Sequence, residues 1–426
     1  MAGETFVQQV ASDGEKILPF DEFVFKTNSR CDMQTTFDAQ GTVVGGCDRC
    51  YEYALGNEAW REQPFSMDID VAEQGARRIG EHAIAHNLRD VRIIKHGGEP
   101  LLGSAEDLDE FSGKVRGVIT AVSPDLAVHL GIQTNGTQLN EEKRDILERY
   151  GYQVGLSLDG NREANDRHRR DRRGESTYDR AVHAAELLRD SNITWGILCV
   201  IDTDNDPITT VESLASHEPG SISLLLPHAN HSVPPEPGAM SYADWQITAF
   251  DWYYDQPEES RIAMPIFDAY VDVLLGGRSM HESVANRTIQ ELFILANGYY
   301  QRVDTLKSTE PGAVATGMNI FEHSLDDVAR NDPGIRARRL GRAGLAQECL
   351  ECPLLVPCGG GYYPHRFKPE QRPIRSTDSP EVYAAAFRHP TVYCEDQLKL
   401  LPHIAGRMED DLGLPRGRLI ETLTAA

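Results

Sequence analysis

Residues 91–100, "VRIIKHGGEP", decide how the chain is read. The β-branched run ahead of His96 has the composition of a short buried strand, and two glycines break it. Gly97 and Gly98 let a ligand come close to the backbone, and the carboxylate of Glu99 beside them can accept hydrogen bonds from an ammonium group. Alone, Gly-Gly-Glu is a weak signal that more often marks a turn.

Its neighbours give it weight. Residues 20–27, 126–134, 152–159, 194–201 and 221–228 also read as strands, with helical periods between them. Ala72, Ala76, Ile79 and Ala83 line one helix face; Leu108, Phe111, Val115, Val118, Ile119 and Val122 line another behind a Ser104 cap. Asn140 and Gly151 bracket a third helix. Six strand and helix units in a row predict a parallel α/β sheet with right-handed crossovers, closed or partly closed into a barrel, with chemistry at the C-terminal strand ends. From about residue 230 a Pro-rich connection, "NHSVPPEPGAMSYADW", leads into mostly helical sequence and then an irregular, cysteine-bearing remainder.

The chain has 426 residues and a formal net charge of −24. Nucleic acid and anionic membrane surfaces are poor partners for such a surface. The N-terminal sequence lacks a secretory pattern and no apolar run approaches bilayer-spanning length, so the expectation is a soluble, cytoplasmic protein.

Eight cysteines are distributed as 31, 47 and 50; a lone 199; 349, 352 and 358; and 394. Clusters with an internal CxxC in a long chain of this kind favour metal ligation over disulfides. Cys349, Cys352, Cys358 and Cys394 suit zinc or an iron-sulfur cluster equally well by number. The first group has three thiols and no obvious fourth ligand nearby. A closed structural zinc site wants four ligands, whereas a cluster held by three thiolates keeps one iron open for a ligand, which favours catalysis. Cys199, alternating inside a strand, reads as a small buried hydrophobe.

The order "FVFKTNSRC", "CDRCYEY" with "WREQP", "KHGGEPLLG", "IQTNGTQL", "VGLSLDGNREANDRHRR", "LLLPHA", "YADW", "VDTLK" and "ECPLLVPCGGGYYPHRF" with "PTVYC" resembles radical S-adenosylmethionine (SAM) enzymes with a SPASM-type C-terminal domain. Among these it looks most like the FxsB-type peptide-modifying proteins, which include cyclophane synthases. The resemblance implies a partial (β/α)6 TIM-like barrel followed by a small iron-sulfur SPASM-like domain, divided as tail 1–17, barrel 18–235, helical connection 236–297 and auxiliary-cluster domain 298–426. It implies a SAM-binding 4Fe-4S cluster on Cys31, Cys47 and Cys50. Glu99 with Gly97 and Gly98 would hold the methionine amino group, and Ser157 and Arg169 the ribose and carboxylate. Asn135 would lie near the same site and Tyr51 by the adenine. His228 and Asp244 are proton-transfer candidates, each equally readable as a core or capping residue.

A full SPASM domain carries two auxiliary clusters, but Tyr362 stands where a further cysteine is expected and residues 298–348 have none. One auxiliary 4Fe-4S cluster on Cys349, Cys352, Cys358 and Cys394 is therefore expected, suited to passing electrons. The implied reaction begins when an external donor such as a flavodoxin or ferredoxin reduces the first cluster. SAM is then cleaved to a 5'-deoxyadenosyl radical, and a side-chain β-carbon of a ribosomally made precursor peptide is joined to an aromatic ring. Rival readings are a formylglycine-generating SPASM-type maturase, a non-catalytic metal-binding scaffold and an electron-transfer protein.

Three features depart from the resemblance. The first motif is normally C-x3-C-x2-C, yet fifteen residues separate Cys31 from Cys47. Two doublings of loop length cost only about 1.2 kcal/mol, little against metal-thiolate binding of ~10 kcal/mol or more, so a cluster is still feasible and the extra residues are either a passive bulge or a lid. Arg49 occupies a position that is commonly aromatic; its guanidinium can stack on adenine instead. Thirty residues before Cys31 are too few for the winged-helix peptide-recognition domain of some relatives.

Overall fold

The structure is a computed structural model that describes residues 17–55, 58–279, 281–370, 373–375 and 377–424. The expected tail, 1–17, lies outside the described residues apart from its last member. Eleven strands are present among the described residues: β1 (Glu22–Asn28), β2 (Thr36–Phe37), β3 (Val43–Gly45), β4 (Asp90–Gly97), β5 (Ala127–Thr134), β6 (Gln153–Ser157), β7 (Thr194–Val200), β8 (Ile222–Leu225), β9 (Glu291–Leu295), β10 (Tyr299–Gln301) and β11 (Ala315–Asn319).

Nine of them form one sheet in the order β11-β10-β9-β1-β4-β5-β6-β7-β8. The run β1, β4, β5, β6, β7, β8 is parallel throughout. These are the six strands expected from the sequence, with ends shifted by at most three residues. Both ends of the sheet stay open, so the barrel is partial.

Helices α1 (Ile69–His86), α2 (Ala105–Val122), α3 (Glu141–Tyr150), α4 (Arg162–His168), α5 (Tyr178–Arg189) and α6 (Pro207–Ala215) fill the crossovers. Local chemistry sets their ends. The Asp68 side chain caps α1, Ser104 and Asp107 form a reciprocal capping box on α2, and Asn140 caps α3, which stops at Gly151 with φ +64°. Most of the expected apolar faces are buried: Ala72, Ala76, Ile79 and Ala83 on α1, and Leu108, Phe111, Val115 and Ile119 on α2, where Val118 and Val122 are only half-buried.

Beyond β8 come α7 (Tyr242–Tyr254) and α8 (Pro265–Leu274), and then the chain returns to the sheet. Strand β9 lies parallel to β1, with Glu291 opposite Glu22, and β10 and β11 continue antiparallel. The change expected at residue 298 falls on the turn between β9 and β10, two strands of the same sheet. Helices α9 (Leu325–Asn331) and α10 (Pro333–Arg338) follow, and a long helix at Cys394–Leu412 closes the structure against α7 through His403 and Arg407 on Asp251. Arg302, just after β10, and Asp332, the cap of α10, form a fully buried bidentate pair at 2.7 Å on each arm.

The residues between Cys31 and Cys47 form the small hairpin β2–β3. It packs on a second hairpin at 169–176: the Gly46 N–H donates to the Asp171 carbonyl at 2.8 Å, the Thr36 hydroxyl to the Arg172 carbonyl, and Cys47 bridges to Arg169. The fit is close, since a Cβ on Gly45 would lie 2.8 Å from the Gly174 nitrogen. None of residues 34–46 lines the central cavity.

Candidate active site

The C-terminal ends of the parallel strands open into a cavity of about 630 Å³. Cys31 follows β1, and Cys47 and Cys50 end the β2–β3 excursion; all three thiols line the cavity with Gly97, Gly98, Asn135, Ser157, Arg169, Tyr51 and His228. Strand order alone explains this convergence, because loops leaving β1, β4, β5, β6 and β8 emerge on one face.

Gly98 is fixed by crowding. A Cβ there would come within 2.0 Å of the Tyr53 hydroxyl and 2.3 Å of the Arg30 carbonyl, and one on Gly97 within 2.3 Å of the Asn28 carbonyl. These positions carry backbone to the cavity wall where no side chain fits.

Glu99 is placed differently from the sequence expectation. It is fully buried behind the two glycines, and its carboxylate is taken up inside the protein. One oxygen accepts from the Leu101 N–H at 2.9 Å and the Thr134 hydroxyl at 2.7 Å; the other accepts from the Asn135 N–H at 2.8 Å. Burial raises its pKa to about 7, against those hydrogen bonds. Glu99 thus ties the loop after β4 to the loop after β5 and does not itself line the cavity.

Asn135, held by that tie, points its amide nitrogen at Cys31 Sγ (3.6 Å) and at Asp32 Oδ1 (3.0 Å). Ser157 accepts from Gln133 Nε2 at 3.0 Å. Arg169 donates to both oxygens of Asp159, at 2.6 and 3.2 Å; burial disfavours its charge, but Asp159 outweighs that and raises its pKa. Arg49 also lines the cavity, 3.7 Å from Asp202. Asp244 is not part of the site: it sits in the exposed first turn of α7, bonded to Ser241 and paired with Lys399. Its adjacency to Ser241 makes it a capping residue, the other reading its position allowed.

His228 and Tyr51 meet edge to face with ring centroids 5.2 Å apart. The Tyr51 hydroxyl donates to Asp304 at 2.8 Å, and Lys26 bridges Asp304 at 2.7 Å and Glu52 at 2.5 Å. Lys307 holds the same Glu52 at 2.6 Å. Burial disfavours the Asp304 carboxylate, but Lys26 outweighs it and the pKa falls well below the usual carboxylate range. Burial lowers His228 to about 4, so a neutral imidazole lines the cavity, its Nδ1 buried without a hydrogen-bond partner. Sequence reasoning missed this ionic group. Its signal was present in Lys26, a lone cation inside "FVFKT", and in the charged "VDTLK" segment, to which no role was given.

The second cysteine group occupies two short helical turns, Gln347–Leu350 and Leu355–Cys358, and the first residue of the helix Cys394–Leu412. All four thiols are free and half-buried, and none lines the cavity. Cys199 is buried in β7.

The donor sets discriminate between metals. Tetrahedral zinc with bonds of about 2.3 Å holds its sulfurs roughly 3.8 Å apart. Among the described residues, His82, His86 and Asp326 form the one set of three or more ligating residues whose atoms all lie within 4.8 Å of one another. Neither cysteine group closes that far, so neither presents the compact donor set of a single zinc ion. Burial pushes Cys47 up to about 12 and Cys50 up to about 11, and raises Cys31 well above the usual thiol range, so thiolates at the first site need a cationic partner. Three thiols, a glycine-walled approach and a fixed arginine beside one cavity fit a cluster with an open iron and its ligand.

Residues 44–214 match the family model described as the Radical SAM superfamily. A serine-type anaerobic sulfatase-maturating enzyme of Klebsiella aerogenes is 32% identical over 117 residues, covering 27% of this chain and 28% of that protein. A cysteine-type enzyme of the same description from Clostridium perfringens is 25% identical over 245 residues, covering 55% and 63%. The chain therefore spans less than two thirds of these curated relatives. A solved structure, native anSMEcpe with bound AdoMet and Kp18Cys peptide, matches with a TM-score of 0.72 at 19% identity, covering 93% of this chain and 99% of that one, a likeness of fold. The chain thus carries a radical SAM segment with homologues among anaerobic sulfatase-maturating enzymes. Among the described residues no helix is long and apolar enough to cross a membrane.

Proposed function

We propose that the chain is a radical SAM enzyme that oxidises a side chain of a peptide or protein segment, with SAM and 4Fe-4S clusters as cofactors. The observation that carries this reading is the convergence of Cys31, Cys47 and Cys50 with Gly97, Gly98, Ser157 and Arg169 on one cavity. Bound there, the reduced cluster and SAM would supply hydrogen-atom abstraction from an unactivated carbon.

The chain's own residues supply placement. Gly97 and Gly98 open the wall, Ser157 and Arg169 present hydrogen-bond donors already fixed by Gln133 and Asp159, and Glu99 sets the Asn135 loop from behind. His228 lines the cavity as a neutral imidazole and is the candidate for moving a proton at the substrate. The four-thiol group behind Gly361 and Tyr393 would hold one auxiliary cluster, all its thiols provided by the protein, to accept the leftover electron.

Two products compete. The named relatives favour oxidation of a serine or cysteine to formylglycine in a sulfatase-like segment. The cyclophane reading, a crosslink between an aromatic ring and a side-chain β-carbon of a ribosomal precursor peptide, rests on the motif order and on the single complete set of auxiliary ligands.

Anaerobic reconstitution, iron counting and assay of 5'-deoxyadenosine with dithionite test the common core. About eight irons per chain with deoxyadenosine formation supports it; zinc without cleavage overturns it. A hydrazide probe on the product peptide captures an aldehyde if formylglycine forms. A stretch that resists fragmentation in tandem mass spectrometry marks a crosslink instead.

A further inference from the structure

We propose that the surface formed by the β2–β3 hairpin and the 169–176 hairpin docks an acidic electron-transfer protein of the flavodoxin or ferredoxin class, which reduces the cluster held by Cys31, Cys47 and Cys50. The inference rests on the radical SAM reading above and adds the place where its electron enters.

Three observations converge on this face. The first is charge. The chain carries −24 overall, yet Arg170, Arg172 and Arg173 stand exposed together. Among the described residues, neither Arg172 nor Arg173 makes an ion pair or a side-chain hydrogen bond. Three carboxylates share the face, Asp171, which also pairs with Arg180 at 3.7 Å, the exposed Glu175, and Asp38 on the facing hairpin, so it is close to neutral in a chain of −24. An acidic partner is repelled by most of this protein and much less here, where the exposed Arg172 and Arg173 are left to meet its carboxylates.

The second is an apolar centre beside those charges. Phe37, Val43 and Val44 are 49%, 39% and 51% exposed on the hairpin. A small apolar patch rimmed by arginines suits the low-area, fast-exchanging contacts of electron-transfer partners.

The third is continuity with the site. Cys47 ends the hairpin and bridges to Arg169, and its neighbour Gly46 donates to the Asp171 carbonyl at 2.8 Å. A partner on the arginines is then joined to a ligating thiol through backbone and one hydrogen bond. Each transfer takes one electron from the donor, which is oxidised by one electron, and reduces the cluster by one; no atom moves between them. Residues 34–46 do not line the cavity, so the face lies outside it.

The test uses reconstituted holoenzyme, unmodified and as R172E/R173E, with R172K/R173K as the charge-preserving control. Flavodoxin hydroquinone or dithionite drives 5'-deoxyadenosine formation, and flavodoxin affinity is measured directly by biolayer interferometry at low and high salt. The expected result is a flavodoxin-driven rate about tenfold or more lower and a Kd about tenfold weaker in the charge-reversed protein, a weaker salt dependence, a dithionite-driven rate within about twofold of the unmodified protein, and recovery with lysines. Unchanged flavodoxin affinity and rate overturn the proposal. So does a raised KM for a substrate peptide under dithionite, which would give the face to the substrate. If the unmodified holoenzyme forms no deoxyadenosine even with dithionite, the proposed function fails, and the affinity arm still decides the docking.

Discussion

Cys31, Cys47 and Cys50 stand on the wall of the cavity, supplied by the ends of strands, while Cys349, Cys352, Cys358 and Cys394 sit behind it on short helical turns. The first group has three thiols and ligand-sized space on its fourth side; the second has four and no share in that space. Gly361 and Tyr393, close in sequence to Cys358 and Cys394, do line the cavity, so the two groups are separated by a wall that both help to build. Placement, more than ligand count, supports the proposed roles: an open site must face its substrate, and a closed one needs only an electron path.

Substitution at the two sites breaks or sharpens this contrast most directly. Cys47→Ala should lower SAM cleavage by at least about a thousandfold and remove about half the iron. Cys352→Ala should also lose about half the iron, yet keep dithionite-driven cleavage while product peptide falls. Equal loss of cleavage in both variants, measured by chromatography of 5'-deoxyadenosine, would erase the distinction.

The scaffolds differ as well. The first site depends on close backbone approach at Gly97 and Gly98. The strands and helices leading into the second depend on the buried pair Arg302–Asp332, where Arg302 also donates to the Ala313 carbonyl at 2.7 Å and lies over the Tyr383 ring. Arg302→Met leaves Asp332 charged and unpaired, and should cost about 3–5 kcal/mol. In urea titrations followed by cluster absorbance, this variant should release iron from the second site before the first. Simultaneous release would show the two regions to be one cooperative unit.

Much of this was legible in the sequence because β-branched runs, caps and cysteine spacing are local signals. The six strands, the Ser104 and Asn140 caps and the separation of the cysteines into two groups all follow from neighbours a few residues apart. The return of β9 to pair with β1 was not legible, since nothing in "ELFIL" names a partner more than 260 residues away. The same distance hid the Lys26, Glu52, Asp304 and Lys307 group and the tie that Glu99 makes between the loops after β4 and β5.

The barrel and the C-terminal region also meet at His82. Its Nε2 accepts from the Phe20 N–H at 3.0 Å, so Nδ1 carries the hydrogen and donates to Asp326 at 2.8 Å; His86 bonds the same oxygen from the next turn. With Nε2 so engaged, a neutral ring has no free lone pair for an ion, and the trio acts as a clasp between α1 and α9. Burial, with His86 and against Asp326, lowers the pKa of His82 to about 4 from 6.5. The unfolded chain therefore binds the extra proton: this stability is full above about pH 6.5 and is lost as the pH falls toward 4. Between pH 7 and 5 the loss should be about 2 kcal/mol in urea titrations, and His82→Gln should flatten that limb. An unchanged slope would mean that His82 does not titrate with unfolding.

The smallest expected effect concerns the feature that most distinguishes the first site, its extra hairpin. Removing residues 34–45 leaves Asp32, Met33 and Gly46 between Cys31 and Cys47, the three-residue spacing of the family motif. The deleted segment touches the 169–176 hairpin and, through the Thr35 hydroxyl and the Gln34 N–H, the backbone carbonyls of Cys47 and Cys31, but no side chain of it lines the cavity, and Asp32 keeps its bonds to Asn135, Thr137 and Gln138. A shorter loop also costs slightly less to close. Dithionite-driven turnover should therefore change by no more than about threefold, while flavodoxin-driven turnover falls with the loss of Phe37, Val43 and Val44. A lid would behave in the opposite way: its removal would raise the KM for SAM and increase cleavage uncoupled from peptide product, whichever reductant is used. The ratio of the two reductant-driven rates thus separates a lid from a landing surface.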